Sequence, residues 1–383
     1  MRDIPIVPAL VRGAAELATT ARGLRPHRLP GAMRERYPDP QLLMVEAQPS
    51  GVRIAFVTEA SRLELVVHAS RVAYRDIDRP RGAVDLTVDG APVASSVLTG
   101  GDSIETDLRT GATEHLDGPP HVAAFGLPSG EKTVELWLPH NESVELVALR
   151  ADAPVRPLVD DRRLWLHHGS SISHGSNAAT PTQIWPAVAA LRGGVELRNL
   201  GFGGSALVDP FMARLIRDAP ADLISVKLGI NVVNLDGMRL RTFVPAVHGF
   251  LDTIRDGHPQ TPLLVISPIL APIHEDTPGP GAIDPTGLGD GRVAFTATGT
   301  PGDTTLGRLT LRVIRDALAD IVASRRRDDP HLHHLDGTQL YGEADAATHP
   351  LPDRLHPDTA THRLIGERFA EHAFGPSGPF AAR

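Results

Sequence analysis

Short runs in which apolar and polar positions alternate fill residues 51–149. They are Gly51–Val57, Arg62–His68, Ala83–Val88, Lys132–Leu138 and Val144–Leu149. Alternation with period two turns one side of a strand to a core and the other to water. Asp89-Gly90, between Ala83–Val88 and Pro92–Leu98, is a tight hairpin signal. Several short strands with turn signals and almost no helical period predict an all-β sandwich or jelly roll over residues 41–155. Residues 1–40 read as an N-terminal extension, with a short helix over Ala9–Ala21 and a Pro/Arg-rich connector. Asp152–Asp161, carrying Pro154 and Pro157, reads as the linker.

Beyond the linker the pattern becomes one of alternating strands and helices. Predicted strands are Leu164–Leu166, Val195–Leu200, Leu223–Leu228, Pro262–Ser267 and His333–Leu335. Predicted helices are Thr182–Leu191, Asp209–Ala219, Thr242–Gly257, Thr304–Arg325 and Thr359–Phe374. The near-continuous apolar run at Pro262–Ser267 suits a strand covered on both faces. The succession predicts a parallel sheet flanked by helices, an α/β domain of three layers over residues 160–376. Ligands of such sheets sit beyond the carboxyl ends of the strands. The Gly/Pro-rich segment Pro272–Gly302 breaks the rhythm and reads as either a substrate-proximal lid or a surface loop.

Composition narrows the chemistry. The 383 residues are 41% hydrophobic and 22% charged, as expected of a soluble globular protein of about two domains. A net charge of −8 argues against nucleic acid as the partner, because phosphate binding needs a cationic face. Lys132 and Lys227 are the only lysines, which disfavours lysine-based covalent chemistry, and with no cysteine, thiolate chemistry and disulfides are excluded. The N-terminal stretch is interrupted by Arg12, Glu16 and Arg22, so no signal peptide is evident, and no apolar run is long enough for a membrane span. A cytoplasmic protein is the expectation. His331, His333 and His334 lack partners at a recognisable metal-ligand spacing and HExxH is absent, so neither a metal nor a cofactor is expected. A strand edge could pair between copies, but no motif establishes an oligomer.

Four stretches follow predicted strands and would converge at one sheet edge: Gly169-Ser170-Ser171, Asn199–Gly204, Gly229-Ile230-Asn231 and Asp353–His356. A hydroxyl at a strand-to-helix corner can act as a nucleophile, and Ser171 is the candidate. His356 is the candidate base, and Asp353 three residues earlier can fold back to fix its tautomer. Backbone N–H groups of Ser171 and Gly204, with the Asn231 amide, are candidate donors to an oxyanion. His174 is a candidate substrate contact. Each stretch alone has a plain structural reading, as a helix cap, a tight turn or a helix entry; their joint order is what argues for a site.

These stretches resemble the blocks of the SGNH (GDSL-type) hydrolases. HHGSSISHG resembles the first block, with Ser171 at the nucleophile position; NLGFGGSA resembles the second, with Gly204; KLGIN the third, with Asn231; and DRLHPD the last, with Asp353 and His356. The resemblance covers residues 162–374 by motif and residues 40–152 by architecture. It is strongest to the carbohydrate-esterase-like subgroup, in which a β-rich, jelly-roll-like domain precedes the hydrolase. Two positions depart from the pattern: Ser170 stands where the first block commonly has aspartate, and Val232 where the third does. The missing G-x-S-x-G elbow argues against an α/β-hydrolase.

The resemblance implies a serine esterase that removes a small acyl group, such as acetyl, from a small molecule or carbohydrate ester through an acyl-enzyme. Two alternatives stand beside it. The same acyl-enzyme could serve an acyltransferase, or the chain could be a non-catalytic carbohydrate-binding protein with a degenerate hydrolase domain.

Overall fold

The structure, a computed structural model, describes residues 1–77, 79–108, 110–286 and 293–381. By contacts the chain divides into two compact units. One comprises Met1–Asp161 with Ala178–Ala187, the other Arg162–Asn177 with Val188–Arg383.

The first unit is built from two β-sheets. Arg62–Tyr74 and Ser143–Ala151 pair at the centre of an eight-stranded sheet, and Arg53–Thr58, Lys132–Trp137 and Ala83–Val88 form the middle of a six-stranded one. Alternate residues of both sheets, among them Leu63, Leu65, Val67, Ile54, Phe56, Val84, Leu86 and Leu136, enclose a common apolar core. This is the sandwich that the period-two runs predict. Val88-Asp89-Gly90-Ala91 makes the expected hairpin, with Asp89 and Gly90 both at positive φ.

The first 40 residues differ from the expected extension. Ala9–Ala21 is not a helix: Val11–Arg12 pairs with Arg53 and Ile54, and Glu16–Thr19 pairs with Leu24–His27. Partners available in the sheets override the helical propensity of this alanine-rich stretch. Residues 40–46, where β-structure was expected to begin, instead form a helix. Its cap is legible in the sequence, since Asp39 accepts from the Leu42 N–H at 2.7 Å and Pro40 opens the first turn. The expected linker contains a short strand, Val155–Pro157, paired with Phe56–Thr58. The segment Ala178–Ala187 also belongs to this unit, where Thr182 donates to buried Asp85 through both its N–H (3.0 Å) and its hydroxyl (2.6 Å).

The second unit contains, in chain order, β1 (Leu164–Gly169), α1 (Ser171–His174), α2 (Trp185–Gly193, which begins in the first unit), β2 (Glu196–Gly201), α3 (Pro210–Asp218), β3 (Leu223–Lys227), α4 (Ile230–Asn234), α5 (Leu240–Gly257), β4 (Leu263–Ile266), β5 (Gly281–Ile283), β6 (Phe295–Ala297), α6 (Leu311–Arg325), β7 (Leu332–Leu335), α7 (Glu343–Thr348) and α8 (Thr359–Phe374). Strands β1, β2, β3, β4 and β7 form one parallel sheet in the order β2-β1-β3-β4-β7. Every residue of β3 and β4 is buried, as expected of central strands covered on both faces. Along α5, Phe243, Val247, Phe250, Leu251 and Ile254 recur at helical spacing and are buried. The helix expected from Thr304 begins only at Leu311, because the Thr310 hydroxyl accepts from the Val313 N–H and caps it there. Strands β5 and β6 pair antiparallel within the Pro272–Gly302 segment, whose residues 287–292 lie outside the described residues. Among the described residues no helix is long and apolar enough to cross a membrane.

Candidate active site

Strand β1 ends at Gly169, and the chain turns through Ser170 into the four-residue helix α1. Three serines occupy this corner, and burial separates them. Ser170 and Ser173 are fully buried, whereas Ser171 is half-buried and can be approached. The Ser173 hydroxyl lies 2.8 Å from His167 Nε2, and the Ser170 hydroxyl has no hydrogen-bond partner among the described residues. Ser171 Oγ alone of the three reaches His356, at 2.9 Å from Nε2.

Close approach of α1 to the sheet fixes this corner. A Cβ at Gly201, the end of β2, would come within 2.5 Å of the Ser173 carbonyl carbon and the His174 nitrogen; at Gly169 it would meet Ser173 Oγ at 2.4 Å. The Asn199 side chain donates to the Ser173 carbonyl at 2.9 Å and accepts from the Gly201 N–H at 2.9 Å. His167 bridges Ser173 to Ser225 of β3, with Nδ1 at 2.7 Å from the Ser225 hydroxyl. Burial holds its pKa well below the ordinary histidine value, aided by the charges of His168 and Lys227, so it is a neutral member of this network. Burial also takes His168 down to about 4; its Nδ1–H donates to the Leu200 carbonyl. Neither histidine is exposed, in keeping with a supporting rather than a reacting role.

The DRLH loop brings Asp353 and His356 together. Arg354 adopts φ +67°, a left-handed conformation rare for a side-chain-bearing residue. The turn lets Asp353 Oδ1 accept the N–H groups of Leu355 (2.9 Å) and His356 (2.6 Å). Its other oxygen accepts from His356 Nδ1 at 2.7 Å and from the Asn177 amide at 3.0 Å. Burial acts to raise the Asp353 carboxyl, but the hydrogen bond and charge of His356, with the two backbone donors, outweigh it and hold the pKa below the usual value. With Nδ1–H committed to Asp353, His356 Nε2 carries the lone pair that faces the Ser171 hydroxyl.

Two further residues stand at neighbouring strand ends. Gly204, at φ +72°, follows β2, and its N–H donates to no acceptor among the described residues; the same holds for the Ser171 N–H at the start of α1. Asn231 on α4 is buried, and its Oδ1 accepts from the Ala206 N–H at 3.1 Å. Because a backbone N–H can only donate, that contact assigns the amide orientation and directs the NH2 group away from Ala206. His174, the candidate substrate contact, is 4% exposed. Val232, like Ser170, is fully buried, so neither position that departs from the family pattern offers a side chain to the solvent side of Ser171. Cavities of about 580 and 520 Å³ elsewhere in this unit are lined by residues such as Arg192 and Phe374, or Glu275 and Arg315, and contain no member of the set.

Residues that the sequence reading passed over also meet here. Phe295 of β6 packs edge-on to the His356 ring, with centroids 5.4 Å apart and planes at 75°. Its N–H donates to the Asp353 carbonyl at 2.9 Å. No sequence motif marks Phe295, since it lies in a Gly/Pro-rich stretch far from the blocks. Asn199 lies within NLGFGG, but the motif by itself gives its side chain no distinct role.

Residues 164–273 match the GDSL-like lipase/acylhydrolase family, and residues 10–147 match the family described as the SsfX3 N-terminal domain. No curated protein matches the sequence. Among solved structures, a salicylyl-acyltransferase, SsfX3, from a tetracycline biosynthetic pathway is 28% identical, with 96% of this chain and 95% of that chain covered and a TM-score of 0.75. A protein of Bacteroides ovatus assigned to the GDSL-like lipases is 19% identical, with 95% of each chain covered and a TM-score of 0.66. A family two carbohydrate esterase from Clostridium thermocellum, solved with cellohexaose, is 14% identical, covering 84% of this chain and 91% of its own, with a TM-score of 0.55. The latter two carry the fold alone. The chain thus carries a GDSL-like lipase/acylhydrolase domain match over residues 164–273, preceded by a β-rich domain that matches the SsfX3 N-terminal family.

Proposed function

We propose that this protein is a serine esterase that removes a small acyl group, such as acetyl, from a hydroxylated substrate such as a carbohydrate. The observation that carries the reading is the chain Ser171 Oγ–His356 Nε2 (2.9 Å) and His356 Nδ1–Asp353 Oδ2 (2.7 Å). Ser171 attacks the ester carbonyl while His356 takes its proton, and Asp353 holds the imidazole in the required tautomer and stabilises the imidazolium. Charge developing on the carbonyl oxygen meets donors that need no reorganisation: the N–H groups of Ser171 and Gly204 and the Asn231 amide. His356 then protonates the leaving alcohol. Water, deprotonated by the same imidazole, cleaves the acyl-enzyme. No cofactor enters these steps.

Acyl transfer is the second reading, supported by the likeness to the salicylyl-acyltransferase along nearly the whole chain. It uses the same acyl-enzyme and differs only in the group that attacks it. Turnover of p-nitrophenyl acetate by the wild type and by Ser171→Ala tests the shared first step. Release of nitrophenolate that disappears in the variant, with the fold intact, supports the reading; wild-type-like activity in the variant refutes it. A panel of acetylated sugars and of acyl lengths then identifies the substrate class.

A further inference from the structure

The segment Pro272–Gly302 contributes the paired strands β5 and β6 to the base loop. Ile283 of β5 pairs with Phe295 of β6, and the Asp284 N–H closes the pair onto the Ala294 carbonyl at 2.8 Å. The pair holds the DRLH loop at two further points: Asp284 accepts from Arg354 at 3.0 Å, and the Phe295 N–H donates to the Asp353 carbonyl at 2.9 Å. These bonds fix the backbone of Phe295 beside the base and set its ring against the imidazole. On its other side the segment reaches the helix that carries Asn231, where His274 Nε2 lies 2.8 Å from Asn234 Oδ1. The His356 side chain, thus covered, is 11% exposed, and Ser171 is the polar neighbour of its Nε2.

Any group that resolves an acyl-enzyme on Ser171 must bring its O–H to His356 Nε2. Phe295 offers that approaching group a hydrocarbon surface and no hydrogen-bond acceptor or donor. Such a surface gains free energy from contact with the carbon skeleton of an alcohol, and it gives water nothing in exchange for its lost hydrogen bonds.

We infer that Phe295 forms the apolar wall of an acceptor subsite and biases resolution of the acyl-enzyme toward a carbon-bearing alcohol over water. The inference rests on the acyl-enzyme reading above. In the step concerned, the alcohol oxygen bonds to the acyl carbon and the bond from that carbon to Ser171 Oγ breaks. The alcohol's proton passes to His356 Nε2 and from there to Ser171 Oγ. Phe295 touches the base and the approaching acceptor and exchanges no proton itself.

The test uses the full chain with p-nitrophenyl acetate as acyl donor and benzyl alcohol as the acceptor probe. The nitrophenolate burst counts sites that acylate, and the ratio of benzyl acetate to free acetate reads the partition. In Phe295→Ala the ratio, read on the sites that still acylate, falls about five- to tenfold, corresponding to about 1 kcal/mol of lost apolar contact. Phe295→Leu, which keeps an apolar wall, holds the ratio within about twofold. An unchanged ratio in Phe295→Ala with an intact burst overturns the role of Phe295 alone, as does a wild type that forms a burst and yields only acetate. A wild type that shows no burst and leaves Ser171 unacylated overturns the acyl-enzyme reading, and this inference with it.

Discussion

Ser173 Oγ and His167 Nε2 meet at 2.8 Å, which ties the short helix that presents Ser171 to strand β1. The bond continues through His167 Nδ1 to the Ser225 hydroxyl, which also accepts from Trp165 Nε1 at 2.9 Å. The nucleophile corner is therefore fixed from beneath by buried polar side chains, and each has a measurable part.

Ser173→Ala removes the hydroxyl and deprives buried His167 of that partner. The expected loss of stability is about 1–3 kcal/mol in urea unfolding, since the group left behind cannot reach water. If the contact positions the nucleophile, kcat falls by more than KM rises. Reduced stability with unaltered kcat would assign it to packing only.

Gly201→Ala and Gly169→Ala should differ in severity. The Gly201 methyl would strike the backbone of Ser173 and His174 at 2.5 Å, whereas at Gly169 the obstacles are side-chain atoms, the Ser173 hydroxyl at 2.4 Å and its Cβ at 2.9 Å. Esterase assays on both variants should find Gly201→Ala the more damaging, because its clash is with the backbone of the helix that bears Ser171 and is the closer one to atoms that cannot rotate away.

Asp353→Asn keeps an acceptor for the loop N–H groups but loses the carboxylate at His356 Nδ1. A drop of about 10²–10⁴-fold in kcat is expected, less than in His356→Ala. Equal losses would make the aspartate as necessary as the base. A stability measurement checks the sign of its ionisation. The folded-state pKa is depressed, so the stabilisation is complete above the unfolded carboxyl value and is lost as pH falls through the folded one. The difference in urea midpoint between wild type and Asp353→Asn should therefore be present at pH 6 and shrink below about pH 4.

Lys227, at the end of β3, is fully buried, and its ammonium has no hydrogen-bond partner among the described residues. Burial, with the charge of Arg315 second, lowers its pKa to about 7. Between about 7 and the ordinary value of about 10.4 the unfolded chain holds a proton that the folded chain has released, so this lysine destabilises the fold in that window and below it. Lys227→Met should raise stability at pH 7 by on the order of a few kcal/mol, with the gain shrinking as pH rises toward 10. A gain that does not change with pH would contradict a buried, unpaired amine.

Much of this architecture was legible in the chain. Thr359–Phe374 forms at the expected residues because Asp358 caps it and accepts from the Thr361 N–H at 2.8 Å. The period-two runs became strands because their alternation matches a sheet with one face in the core. Ala9–Ala21 failed because pairing with distant strands, which no local window contains, outweighed helix propensity. Helix α4, at five residues, is too short to leave a periodic signal, although it carries Asn231. The blocks single out Ser171, Gly204, Asn231, Asp353 and His356 as candidates; the first three follow the ends of β1, β2 and β3, whereas Asp353 and His356 lie in the loop between α7 and α8. Phe295 stayed hidden because it reaches His356 only through the pairing of β5 with β6, which the glycines and prolines around it do not announce.

The central claim is that Ser171, and neither of its buried neighbours, is the activated nucleophile. Labelling the folded protein with a fluorophosphonate probe and mapping the modified peptide by mass spectrometry tests it most directly. The account predicts a single phosphonylated residue, Ser171, with labelling abolished in Ser171→Ala and strongly slowed in His356→Ala. Modification of Ser170 or Ser173, or no modification of the folded wild type, would contradict it.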